Sequence, residues 1–110
     1  MNDIPCEIID SIECYCQENK EIECCGIIYQ DRGASKWLPC ENLAKNKKHN
    51  FILNPRFFVD YDVQYVVHSH CFGSARPSVF DKQSQHEICI PYLIYSVEHN
   101  NFCIYENISV

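Results

Sequence analysis

The sequence predicts an α/β (α+β) domain built on a mixed central sheet. Three observations predict it: a helical repeat of apolar residues near the N-terminus, several short runs rich in β-branched and aromatic residues, and a second helical segment set between two such runs. Ile8, Ile9, Ile12, Tyr15 and Cys16 recur at helical spacing, which predicts an amphipathic helix over residues 5–18, with Pro5 in its first turn and Asn2 or Asp3 as its cap. CGIIYQ (25–30) and KWLPC (36–40) read as strands of a hairpin, joined by turn chemistry at Asp31-Arg32-Gly33. Residues 41–50 are polar and read as loop. Phe51-Ile52-Leu53 predicts a short strand ended by Asn54-Pro55, and residues 55–60 a short helix. YVVHSH (65–70) has the bias of a buried strand. A loop with Gly73, Ser74 and Pro77 follows, then a helix over 78–87. Strands over 92–97 and 102–105 are joined by a turn at His99-Asn100-Asn101.

Composition narrows the function classes. With 110 residues, 46% apolar and 22% charged, the chain is expected to fold as one domain over 1–110. Its net charge of −6 argues against a nucleic-acid partner, which needs clustered Lys and Arg. The basic cluster Lys45, Lys47 and Lys48 reads as a solvated loop. The longest mostly apolar stretch, residues 88–97, holds a proline and falls short of the ~20 residues a membrane span needs. The N-terminus lacks a basic region followed by an apolar one, so a cytoplasmic location with no membrane partner is expected. Nine cysteines without a secretory signal read as reduced thiols, most of them small buried hydrophobes. No C-x-x-C pair suggests a cysteine-ligated zinc. No His–Cys spacing supports a thiol nucleophile.

The chemistry concentrates in HSHCFGSARPSVFD, residues 68–81. Side chains alternate across a strand, so His68 and His70 point the same way, as two ligands of one ion must. Asp81, at the start of the next helix, would return to the same spot as a third ligand. Two imidazoles and a carboxylate suit zinc and leave a position open for water. A carboxylate that is not a ligand must then move the proton, and Glu23 is the candidate. Ser78 could donate a hydrogen bond to a developing oxyanion. Each piece has a plainer reading. H-x-H occurs on strands without metal, Ser78-x-x-Asp81 is close to a capping box, and Glu23 alone reads as a solvated charge. The argument rests on the five residues occurring together.

With those residues in hand, the chain resembles the JAMM (JAB1/MPN) zinc metallopeptidases. Glu23, His68-Ser69-His70, seven residues, Ser78, two residues and Asp81 fit their E … H-[ST]-H-x7-S-x-x-D signature. ECCGII (23–28), PCEN (39–42), HNF (49–51) with Asn54-Pro55, ARPS (75–78) and IPY (90–92) are similar to the prokaryotic branch found in phage tail assembly protein K. The resemblance covers roughly residues 18–97. It implies the MPN/JAB (cytidine deaminase-like) architecture, a curved mixed sheet flanked by helices. It implies one zinc per chain on His68, His70 and Asp81, with Glu23 as general acid/base and Ser78 as oxyanion partner. The implied activity is hydrolysis of a peptide or isopeptide bond, on a polypeptide such as a ubiquitin-like or phage tail protein. The alternative is a non-catalytic scaffold or phage tail assembly module. The NlpC-type cysteine peptidase that usually follows in tail proteins has no counterpart here, so a stand-alone version or a fragment is expected. The family usually has proline after the second histidine. Here Cys71 stands there, and a strand neighbour of His70 is expected to pack away from the ion.

Overall fold

The computed structural model describes residues 3–106. Its elements, in chain order, are α1 (Cys6–Glu18), β1 (Cys25–Asp31), β2 (Ala34–Cys40), α2 (Phe57–Asp60), β3 (Asp62–His70), α3 (Val79–Ile88), β4 (Tyr92–Ser96) and β5 (Asn101–Tyr105). The five strands form one mixed sheet in the order β2-β1-β3-β4-β5. Antiparallel pairing joins β1 to β2 and to β3, and β4 to β5. The β3–β4 pair is parallel. A parallel pair needs a crossover, and α3 supplies it. No helix among the described residues is long and apolar enough to cross a membrane.

Each face of the sheet carries its own core. On one, Ile8, Ile12 and Cys16 of α1, spaced four apart, pack on Ile28, Tyr65, Val67, Leu93 and Tyr95. The other gathers Cys25, Ile27, Val66, Tyr92 and Ile94 under Leu53 and Ala75. Alternation along β3 sorts its residues between them: Val67 and Ser69 toward α1, Val66, His68 and His70 toward α3. Gln17 fastens α1 to β4, its amide donating to the Tyr95 hydroxyl (2.8 Å) and the Val97 carbonyl (3.2 Å).

Most sequence-predicted elements are present, with ends moved by one to three residues. The β1–β2 turn narrows to Arg32 (φ 54°) and Gly33 (φ 83°), because Asp31 and Ala34 pair as strand residues. Two successive positive φ angles match a two-residue hairpin that follows the twist of the strands. The β4–β5 turn shifts to residues 97–100, and Asn101 pairs with Ser96. Of the predicted helix caps, Asn2 lies outside the described residues. Asp3 instead accepts a hydrogen bond from the Tyr65 hydroxyl (2.8 Å), and Pro5 takes the cap position with no side-chain bond. The strand expected at Phe51-Ile52-Leu53 is absent: these residues are irregular chain. Their polar needs are met by Asn42, whose Oδ1 accepts from Ile52 N (3.1 Å), and by one backbone bond from Leu43 N to the Ile52 carbonyl (2.9 Å).

Gly26 of β1 lies under the Trp37 indole, and a Cβ there would meet that ring at 2.6 Å as well as the Leu38 carbonyl oxygen. Backbone on one side leaves no room to yield. Gly26→Ala is therefore expected to lower unfolding stability by about 2–3 kcal/mol, read as a reduced urea midpoint. An unchanged midpoint would refute the packing.

Candidate metal centre

His68 and His70 stand at the C-terminal end of central strand β3, and Asp81 lies in the first turn of α3. The fold brings the three together: one potential ligand atom from each lies within 4.8 Å of the others. The Asp81 carboxylate spans the two imidazoles, with Oδ1 3.1 Å from His68 Nε2 and Oδ2 2.9 Å from His70 Nε2. Ser78 builds this approach. Its Oγ accepts from Asp81 N (3.0 Å), and Asp81 Oδ2 accepts from Ser78 N (2.9 Å), a complete capping box. The capping reading of Ser78-x-x-Asp81 and its convergence with the histidines are thus both realised. A cap that aims a carboxylate serves both ends.

The two imidazoles have different surroundings. His70 Nδ1 faces the Ser74 carbonyl at 2.9 Å, which directs Nε2 toward Asp81. This is how a ligating histidine is commonly oriented. Burial works to lower its pKa, but Asp81 and the Ser74 carbonyl outweigh it and the net shift is upward. His68 is fully buried, stacked on Phe51 (centroids 4.3 Å apart) and edge-on to Tyr92. Burial lowers its pKa. Its contact with Asp81 is close but not aligned as a hydrogen bond, so both ring nitrogens are buried without a hydrogen-bond partner. Such an orphaned group costs about 1–3 kcal/mol. Burial alone would raise the Asp81 carboxyl, but the two imidazoles and the Ser78 N–H hold it far below the usual carboxylate range. An ionised carboxylate, a pre-oriented imidazole and a neutral imidazole lacking a partner are a donor set that fits a zinc ion.

Glu23 precedes β1 and is 7% exposed. It is therefore not the solvated charge that its sequence context alone suggests. With His70 and Ser78 it lines a cleft of about 230 Å³. Burial pushes its carboxyl up to about 7, opposed by the His70 imidazole and reinforced by Asp81. Its backbone is clamped on both sides. Glu23 N donates to the Lys47 carbonyl (2.6 Å), and the Glu23 carbonyl accepts from Asn42 Nδ2 (2.9 Å). Next along the chain, Cys24 and Ser69 bond reciprocally: Cys24 N to Ser69 Oγ (2.8 Å), and Ser69 N to the Cys24 carbonyl (2.9 Å).

Two expectations change here. Strand β3 ends at His70, so alternation does not govern Cys71. Its thiol is buried as predicted, yet it lines the same cleft rather than packing away from it. Burial raises its pKa, and Glu23 adds to the rise. Lys48 is exposed as expected, and so is His49, but both also line the cleft, which residue type alone could not reveal. Five of the nine cysteines are buried, and none is bonded to another.

A mixed sheet with a His-His-Asp cluster at the end of its central strand and a buried glutamate alongside defines a class of small domain with a candidate metal centre. A family model described as prokaryotic homologues of the JAB domain matches residues 7–105, and the chain belongs to that family. Tail tip assembly protein K of Escherichia phage N15 is 29% identical over 92 residues, which span 80% of this chain and 38% of that protein. Among solved structures, protein DSY2949 from Desulfitobacterium hafniense superposes with a TM-score of 0.69 at 21% identity, covering 90% of this chain and 77% of that one. AF2198, a JAB1/MPN domain protein from Archaeoglobus fulgidus, gives 0.59 at 16% identity, covering 90% and 83%. At these identities the likeness is one of fold.

Asn42 is 4% exposed and makes four hydrogen bonds: its amide donates to the Glu23 and Asn50 carbonyls, and its Oδ1 accepts from Ala44 N and Ile52 N. Asn42→Ala strands all four partners and is expected to cost about 3 kcal/mol or more, and Asn42→Asp should cost no less, because it sets a buried carboxylate oxygen against the Glu23 and Asn50 carbonyls. Near wild-type stability of either variant in chemical denaturation would contradict this. Glu23 carries a separate expectation. A raised folded-state pKa contributes stability below about 4.5, the ordinary value, and loses it as pH rises through about 7. In metal-free protein, Glu23→Gln should thus stabilise by on the order of 2 kcal/mol in mild alkali and have no effect in acid. Thermal melts across pH check it; a pH-independent difference would sink it.

Proposed function

We propose that the chain is a zinc-dependent peptidase or isopeptidase of the JAMM type, holding one zinc on His68, His70 and Asp81. The observation that carries this reading is the buried His68 ring, orphaned of hydrogen bonds yet placed with His70 against one ionised carboxylate. Zinc with such ligands acidifies water to a pKa of ~7 and polarises a carbonyl. Glu23, its pKa near 7, accepts the proton of the attacking water and later gives it to the leaving amine. Ser78 Oγ already accepts from Asp81 N, so its own proton is free to be donated to the substrate carbonyl oxygen as charge develops there. The substrate is a polypeptide. The N15 relative's name favours a phage tail protein, and a ubiquitin-like protein is the other candidate from the family resemblance.

That relative also favours a second reading, a non-catalytic phage tail assembly module. Metal content separates the two. The peptidase reading expects about one zinc per chain, lost in His68→Ala or Asp81→Ala. Glu23→Gln should keep the zinc and lose turnover by about a hundredfold or more. The wild-type rate should fall in acid as Glu23 becomes protonated, at a pH that the charge of bound zinc sets below the metal-free value of about 7. Protein that takes up no zinc when supplied with it would favour the assembly module, and a fully active Glu23→Gln would remove Glu23 as the base.

A further inference from the structure

Lys48 and His49 sit oddly in a chain of net charge −6: both line the cleft that holds Glu23 and Ser78. Their placement is fixed from both sides. The preceding carbonyl, of Lys47, accepts from Glu23 N, and the following one, of Asn50, accepts from Asn42 Nδ2. Within the segment, the N–H groups of His49 and Asn50 both return to the Asn46 carbonyl (3.3 and 3.0 Å). The backbone that carries these two basic residues is thereby anchored beside Glu23. Among the described residues Lys48, like most of the Lys and Arg side chains, is in no ion pair. The Cys71 thiol in the cleft wall feels the Lys48 charge. Phe72, 68% exposed, adds an apolar surface to the same cleft.

We propose that Lys48 and His49 select substrates bearing a carboxylate close to the scissile bond, with Phe72 covering the apolar part of the adjoining residue. This rests on the peptidase reading and names its substrate class. The carboxylate belongs either to an Asp or Glu side chain or to the substrate's own C-terminus. An unpaired ammonium at a cleft wall gains a partner without giving one up, and a partly screened pair of this kind is worth about two- to fivefold in recognition. The preference must fade with salt, because the pair stays in contact with solvent.

Two measurements test the proposal. In the first, zinc-loaded protein digests a proteome-derived peptide library, and the cleaved bonds are read by mass spectrometry. Cleavage should concentrate within a few residues of Asp, Glu or a free C-terminus. Lys48→Glu should reverse the preference toward Lys and Arg, and amidating the C-termini separates the two carboxylate sources. In the second, fluorescence anisotropy follows short random-sequence peptides with one fixed Glu, and the same pool with Gln, on zinc-loaded Glu23→Gln protein. The Glu pool should bind about two- to fivefold tighter at low salt, and the gap should close in about 0.5 M salt and in Lys48→Glu. Efficient cleavage without acidic preference, or equal binding of the two pools, overturns the proposal while leaving the peptidase reading intact. Selective binding of the Glu pool with no cleavage of any linear peptide, nor of peptides branched through a lysine isopeptide bond, overturns the proposed hydrolase and keeps the carboxylate site.

Discussion

The site depends on one carboxylate held between two imidazoles of a buried strand. Asp81 has the depressed pKa of a group bonded on several sides, and its two oxygens divide between His68 and His70. Both histidines share a face only because β3 stays extended through His70. β3 stays extended because it is hydrogen-bonded on both edges, to β1 and to β4. The parallel β3–β4 pair in turn requires the chain to cross over, and the crossover helix brings Asp81 back over the strand end. Sheet topology and ligand geometry are therefore one constraint.

Burial gives neighbouring groups opposite tendencies. It pushes Glu23 up and His68 down, while the imidazoles hold Asp81 low. Two carboxylates in one small region are thus sorted into an always-ionised group and one poised near neutrality. That division is what separate roles in metal binding and proton transfer require. It arises from position: Asp81 has two imidazoles and an N–H against it, whereas Glu23 looks into a cleft with its backbone pinned.

Much of this was legible in the sequence because it rests on short-range rules. The i, i+2 spacing put His68 and His70 on one face, and Ser78-x-x-Asp81 marked a helix start. The β-branched runs marked the strands. What could not be read depends on irregular chain. Phe51 looked like strand by residue type, but it lies in a segment bonded largely through the Asn42 side chain, and its ring ends up stacked on His68. Period-two alternation cannot place Cys71, one residue past the strand end. Nor can composition tell that Lys48 and His49 face a cleft, since that follows from long-range bonds such as Glu23 N to the Lys47 carbonyl.

The residue between the two histidines has a consequence of its own. Ser69 faces the α1 side and locks Cys24 by a reciprocal pair of bonds, so Glu23 is moored to the very strand that bears the imidazoles. The backbone at Glu23 is then spaced from the histidines by the interval between adjacent strands, ~4.8 Å wherever a sheet forms. Changes in the irregular segments around the cleft would therefore leave that spacing untouched, because it belongs to the sheet.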